Sequence, residues 1–175
     1  MFKCGKVFIL NMETKRLIID ELRKEDKEDY FINISHDKKV LETFICTYQE
    51  SLEKFDFDSY LNRKGILAIR LKETGKLIGI LTEFLTDGKS VEIGYGIGSN
   101  YWNKGYVTEA VEAFIPYLFN VRGFETVLAS CFIENPASKR VMEKVGMTYS
   151  HINYGELEYL GKSRDLIYYK IDRKN

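Results

Sequence analysis

The stretch Val91–Val111, VEIGYGIGSNYWNKGYVTEAV, decides how the chain is read. Val91, Ile93, Tyr95 and Ile97 alternate with Glu92, Gly94 and Gly96, the two-residue period of a strand. Glycine inside a strand weakens it and often marks a bulge or the close approach of backbone or ligand. Gly98, Ser99 and Asn100 open a loop. From Gly105 on, Ala110, Val111, Phe114, Tyr117, Leu118 and Val121 fall at helical spacing. The stretch therefore reads as strand, loop, helix N-terminus. A helix start presents unpaired N–H groups and the positive end of the peptide dipoles. That combination predicts an anion site suited to phosphate, with Lys104 as a mobile positive charge beside it.

Two common phosphate patterns fail here. The dinucleotide fingerprint G-x-G-x-x-G must open a helix, whereas Gly94, Gly96 and Gly98 lie in or at the end of the strand. The P-loop pattern G-x-x-x-x-G-K-[ST] meets Asn103 and Gly105 where it needs Gly and Ser or Thr.

Working outward, 175 residues make one domain the default expectation and can bury roughly 70% of the unfolded surface. Lys plus Arg equals Asp plus Glu, so no broad basic field argues for nucleic acid. Cys4, Cys46 and Cys131 are an odd, widely spaced set that predicts neither a disulfide framework nor a zinc site. A reducing cytoplasm is the expected compartment. The N-terminal apolar run from Val7 to Leu10 is too short for a signal peptide or a membrane span.

Strands are expected over 16–20, 66–71, 76–84, 91–97, 127–132, 148–154 and 166–171. Helices are expected after Asp26 as N-cap, over the stretch carrying Leu52, Phe55, Tyr60 and Leu61, from Gly105 to about Val121, and from Asn135 to Gly146. Thr47 and Glu50 have capping-box spacing. Turns are expected at 73–76 and 86–89. Pro116 should kink its helix and Gly123 should end it. The order reads as mixed α+β.

The run Tyr101–Ala110, YWNKGYVTEA, resembles the pyrophosphate loop of the GNAT acetyltransferases, in the branch that includes the ribosomal-protein N-terminal (alanine) acetyltransferases. The superfamily pattern is [RQ]-x-x-G-x-[GA], and this chain departs from it at Trp102 and Val107. Asn135–Met147, NPASKRVMEKVGM, resembles the branch's N-x-x-S-x-[RK]-V-x-E-K-x-G-[FM]. The opening TKRLIIDELRKED from Thr14 is also similar to that branch. The element order agrees, so the resemblance spans 14–171.

The resemblance implies a GNAT fold of α+β (mixed α/β) class. Its central, mostly antiparallel sheet splays between the fourth and fifth expected strands, 91–97 and 127–132, with about four flanking helices. Residues 1–13 would be an N-terminal extension or part of a first strand, and 14–175 a single N-acetyltransferase domain. Acetyl-CoA would enter the gap. Ile97 and Gly98 would hold the pantetheine arm, and Asn103, Lys104, Gly105, Tyr106, Val107 and Thr108 the pyrophosphate. Asn135 would bond the arm or position the strand exit, and Ser138 would lie near the sulfur. Many members place a Tyr acid where this chain has Met142, which leaves Ser138 as the group beside the leaving thiolate, by orientation or by proton transfer.

The implied activity is acetyl transfer to a primary amine by direct attack in a ternary complex. The acceptor is a protein N-terminus or a small-molecule amine. The alternative is a non-catalytic acyl-CoA-binding or regulatory module on the same fold. Because an ammonium has no lone pair, a base is required. Glu92 on the central strand is the first candidate, ahead of Glu83, and its rival reading is a surface carboxylate paired with a cation. Cys131 reads as a small core hydrophobe rather than a nucleophile. His36 and His151 lack ligand spacing, so no metal is expected. Trp102 and Tyr106 read as loop packing. Tyr149 and Tyr154 read as wall of the amine site or as core. A monomer or homodimer without membrane or nucleic-acid partners completes the expectation.

Overall fold

The computed structural model describes residues 11–85 and 87–174. Cys4, the apolar run 7–10 and Thr86 of the expected 86–89 turn lie outside the described residues. The strands are β1 (Asn11–Glu13), β2 (Leu17–Glu21), β3 (Ile66–Leu71), β4 (Leu77–Leu85), β5 (Ser90–Ile97), β6 (Thr126–Phe132), β7 (Thr148–Tyr159) and β8 (Lys162–Asp172). They form one eight-stranded sheet in the order β1-β2-β3-β4-β5-β6-β8-β7. Every neighbouring pair is antiparallel except β5 with β6. That parallel pair requires a crossover. The crossover is the helix α4 (Tyr106–Asn120).

The parallel pairing is short. It runs from Ser90↔Thr126 to Ile93↔Ala129 and stops. Beyond it β5 stays with β4 as far as Ile97↔Gly79, and β6 stays with β8 as far as Phe132↔Leu166. The sheet is thus two half-sheets joined over four residue pairs and parted above them, the splay that the resemblance implies.

Alternation assigns the two faces. One side of the sheet, with Val91, Ile93, Val127, Ala129, Ile167 and Tyr169, packs on Ala110, Val111, Phe114 and Leu118 of α4 and on Met142 of α5 (Pro136–Lys144). The other side, with Ala68, Leu77 and Ile80, packs on Tyr30, Ile34, Phe55 and Phe57. Tyr30 ends the short helix α1 (Lys27–Tyr30), Ile34 lies in the π turn that continues it over Phe31–Ser35, and Phe55 and Phe57 lie in the segment between α2 (Lys38–Leu41) and α3 (Asp58–Leu61). Among the described residues, no helix is long and apolar enough to cross a membrane.

Several local expectations are corrected. The helix expected around 52–61 shrinks to α3, and Thr47 and Glu50 lie in a loop rather than in a capping box. Asp26 precedes α1 but does not cap it; its side chain accepts from Arg23 N–H at 2.7 Å, one turn earlier. Its carboxylate also holds Arg70, with Nη2 donating at 2.7 Å. The closing strands extend well past 154 and before 166, turning at Leu160 and Gly161, both with positive φ. Helix α4 runs unbroken through Pro116. At its end Gly123 takes φ +79° and Phe124 N–H bonds the Leu118 carbonyl at 3.1 Å, the expected stop.

Arg70 is 3% exposed and lies between Asp20 and Asp26, themselves 5% and 4% exposed. It donates to Asp20 at 2.6 Å and to Asp26 through both terminal nitrogens. This cluster fastens the start of the first helical segment to β2 and β3. Removing the cation strands the buried Asp26 carboxylate and leaves Asp20 only the exposed Arg23 as a partner, which should cost about 3–5 kcal/mol. Urea unfolding of Arg70→Met should show that loss, whereas a change within about 0.5 kcal/mol would mean the cluster is unimportant.

Candidate active site

A cleft of about 930 Å³ opens where β5 and β6 part. Its wall includes Glu92, Tyr95, Ile97, Gly105, Asn135 and Ser138. Gly98 N–H bonds the Ile78 carbonyl at 2.9 Å. By the alternation of an antiparallel ladder, the N–H and C=O groups of Tyr95 and Ile97 then point away from β4, into the gap that β6 has left. They are strand edges with no strand beside them. The indole Nε1 of Trp102 donates to the Ile97 carbonyl at 2.9 Å and so fixes the loop to the strand end.

The loop then turns into α4 through two left-handed residues, Asn103 (φ 59°) and Gly105 (φ 77°). Gly105 is the N-cap, and no side chain caps the helix. The first intrahelical bond is Glu109 N–H to the Gly105 carbonyl, at 3.0 Å. The amides of Tyr106, Val107 and Thr108 accordingly lack helical partners, and all three residues line the cleft with Asn103. Two expected residues stand outside the wall. Gly98 lies against Asn33, whose Oδ1 would be 2.8 Å from an added Cβ. Lys104 turns outward, its Nζ 5.5 Å from the centre of the Tyr101 ring.

Asn135 is occupied by structure. Its Oδ1 accepts from Ser138 N–H at 3.1 Å, capping α5, and its Nδ2 donates to the Thr43 carbonyl at 3.3 Å. The Ser138 hydroxyl lies 2.8 Å from that of Tyr95. Burial raises the Tyr95 phenol well above its ordinary pKa, against the lowering effect of the Ser138 bond, so it stays protonated. Tyr95 is the site residue the sequence reading passed over. Its place in the strand alternation was visible, but its partner lies 43 residues away. Met142 is fully buried in the core, away from the cleft.

Glu92 faces the opposite side of the sheet from Tyr95, together with Gly94 and Gly96. Its Oε1 accepts from the Ser130 hydroxyl at 2.7 Å. Glu83 points to the α4 side instead and is ion-paired with Arg122 at 2.6 Å. Burial pushes the Cys46 thiol up to about 12 and raises that of Cys131, so both are thiols at neutral pH. His36 and His151 stack on Phe31 and Tyr168 at 4.6 and 4.5 Å. Among the described residues, no group of three His, Cys, Asp or Glu could hold a metal ion. Tyr149 and Tyr154 are 57% and 77% exposed and stand outside the cleft; Tyr159, further along the same hairpin, lines it.

Tyr159 also fastens a strap. Its hydroxyl bonds the Phe44 carbonyl at 3.1 Å and meets Cys46 N–H at 3.4 Å. With Asn135 on the Thr43 carbonyl, it holds residues 43–46 across the cleft. The Phe44 ring rests on β5, where a Cβ at Gly96 would meet it at 2.9 Å. The close approach signalled by the strand glycines is therefore made, in part, by this ring.

Residues 16–148 match the model of the acetyltransferase (GNAT) domain. The uncharacterized N-acetyltransferase YnaD of Bacillus subtilis is 31% identical over 141 residues, covering 79% of this chain and 82% of its own. The structure of an acetyltransferase (GNAT family) from Bacillus anthracis superposes with a TM-score of 0.83 at 26% identity, over 93% of this chain and 98% of that one. The fold is shared as well with a ribosomal-protein-S5-alanine acetyltransferase from Vibrio fischeri, with a TM-score of 0.72 at 15% identity over 93% and 96% of the two chains.

Gly96→Ala should cost about 1–3 kcal/mol in urea unfolding, because the Phe44 ring must shift. In the Phe44→Ala background the added methyl has room, so the two costs should fall short of additivity. Additive costs would mean that the ring does not press on the strand.

Proposed function

The chain belongs to the GNAT acetyltransferase family, and from that premise we propose that it transfers acetyl from acetyl-CoA to a primary amine by direct attack within one cleft. The observation that carries this reading is the meeting, in one wall, of an unpaired strand edge and an uncapped helix start. When bound, acetyl-CoA supplies an activated thioester. The edge groups of Tyr95 and the N–H of Ile97, whose carbonyl Trp102 already engages, suit the amides of its pantetheine arm, and the N–H groups of Tyr106, Val107 and Thr108 suit its pyrophosphate. Arg140 and Lys144 also line the cleft and add positive charge.

Glu92 is the base of this proposal. Its carboxylate, steadied by Ser130, takes a proton from the acceptor ammonium and frees the lone pair. Ser138 reaches the gap from the other face of the sheet. Its hydroxyl, held beside Tyr95, donates a hydrogen bond to the departing thiolate. The acceptor in this reading is a single amine on a largely uncharged body, such as a protein N-terminus, rather than a polyamine. Glu83 and Glu92 are the only carboxylates among the described lining residues, and Glu83 is paired with Arg122. The acceptor side is aromatic instead, with Phe44, Tyr60, Phe84 and Tyr159. Two free thiols, Cys131 buried and Cys46 half-buried, fit the cytoplasm as the site of action.

At a hundredfold excess over its dissociation constant, CoA should stabilise the fold by about 2.7 kcal/mol. For a chain of this size that is a rise in Tm of roughly 5–10 °C. NAD should give no comparable rise; an equal response would overturn the assignment. Gly105→Val should abolish the CoA response, since a β-branched residue is strained at φ 77°. Lys104→Ala should retain most of it, because an exposed charge is screened.

Glu92→Gln should lower turnover by about 10²–10⁴-fold, with the deficit shrinking as pH rises and the amine deprotonates unaided. Ser138→Ala should lower kcat while leaving CoA affinity near wild type. Steady-state kinetics with amines and N-terminal peptides check both. Wild-type turnover in Glu92→Gln would remove it as the base, and tight CoA binding without turnover on any acceptor would favour a non-catalytic binding module.

A further inference from the structure

Two stretches that the proposed chemistry leaves unused meet in space. Thr14 and Arg16 lie in the turn between β1 and β2, and Glu109 lies in the first turn of α4, more than 90 residues later. One Glu109 oxygen accepts from the Thr14 hydroxyl at 2.6 Å and from Arg16 N–H at 2.8 Å. The other accepts from Arg16 Nε at 2.7 Å. Arg16 Nη1 continues to the Lys104 carbonyl at 2.9 Å, and the guanidinium lies 4.4 Å over the Tyr106 ring. Burial alone would raise the Glu109 carboxyl, but the bonds from Thr14 and Arg16 outweigh it and hold it ionised.

Lys104 stands between the two left-handed residues Asn103 and Gly105, and its carbonyl belongs to the peptide that joins it to Gly105. In a trans peptide the C=O and the following N–H point in opposite directions. A guanidinium on the Lys104 carbonyl therefore turns the Gly105 N–H away from Arg16 and fixes the turn that leads into α4. Two planar donors of one side chain bridge Lys104 to Glu109, a geometry that a lysine ammonium cannot reproduce.

We propose that Arg16, anchored by Glu109 and Thr14, is a positioning residue for the phosphate loop and holds Asn103–Thr108 in the anion-binding shape before any ligand arrives. The proposal rests on the reading that acetyl-CoA binds this cleft. Its signature is a loss of cofactor affinity that comes from loop geometry rather than from charge.

The test is isothermal titration of CoA into wild type, Arg16→Met and Arg16→Lys at two salt concentrations, with the urea midpoint of each and the kinetics at saturating acetyl-CoA. Arg16→Met should weaken CoA by about 10- to 100-fold, the loss of hydrogen bonds to a charged group. Its KM for acetyl-CoA should rise while kcat stays near wild type. Arg16→Lys keeps the charge and the ion pair, and so guards against a variant that fails to fold. It should still lose affinity, by a similar factor at both salt concentrations. Wild-type affinity in Arg16→Met, or in Arg16→Lys, would overturn the positioning role while leaving the proposed function intact. Absence of CoA binding by the wild type would overturn both.

Discussion

The site depends on a pairing that stops. β5 and β6 share a parallel ladder from Ser90↔Thr126 to Ile93↔Ala129 and no further. Buried backbone N–H and C=O groups need partners, so an interrupted ladder leaves a strand edge open to any ligand with peptide-like groups. The interruption is held from both sides. β4 keeps β5 to Ile97, β8 keeps β6 to Phe132, and α5 presents Ser138 to Tyr95 beside the gap. The helix that links the two strands starts at the same opening, so its positive end faces the gap that its crossover creates.

The elements that carry this geometry were legible because they are strongly periodic or punctuated. The strand at 91–97, the loop, the start of α4 and the Asn135 cap of α5 all lie where alternation and capping chemistry put them. Less was legible where side chains serve distant partners. Asp26 has the look of an N-cap, but a buried Arg70 outcompetes the helix start for its carboxylate. Residues 50–57 carry helix-spaced apolar side chains, yet Phe55 and Phe57 are buried as an irregular aromatic wedge against Tyr30. The ends of β7 and β8 are exposed over long stretches, so no buried period announces them, and a register shift between Asn153 and Leu157 disturbs what alternation remains. The roles of Tyr95 and Arg16 required knowledge of which residues meet across the fold.

Charge is distributed with the same economy. The chain has a formal net charge of zero, but its ionic groups are sorted. Arg70 with Asp20 and Asp26 is buried and fastens the helical layer to the sheet. Arg16 with Glu109 sits at the rim and braces the loop. Glu83 is neutralised by Arg122 on the far face. Glu92, held by a serine hydroxyl rather than by a cation, keeps a carboxylate available inside the cleft.

The account's central claim is that the gap between β5 and β6 receives the acetyl donor, with its pyrophosphate on the start of α4. A crystal structure of the chain with CoA tests this most directly. The account predicts pyrophosphate oxygens within about 3.2 Å of the N–H groups of Tyr106, Val107 or Thr108, and the pantetheine arm running beside Tyr95 and Ile97. CoA bound with its pyrophosphate on Arg63 and Lys64, two cations that line the cleft beside Tyr60, or lying outside the gap altogether, would contradict it.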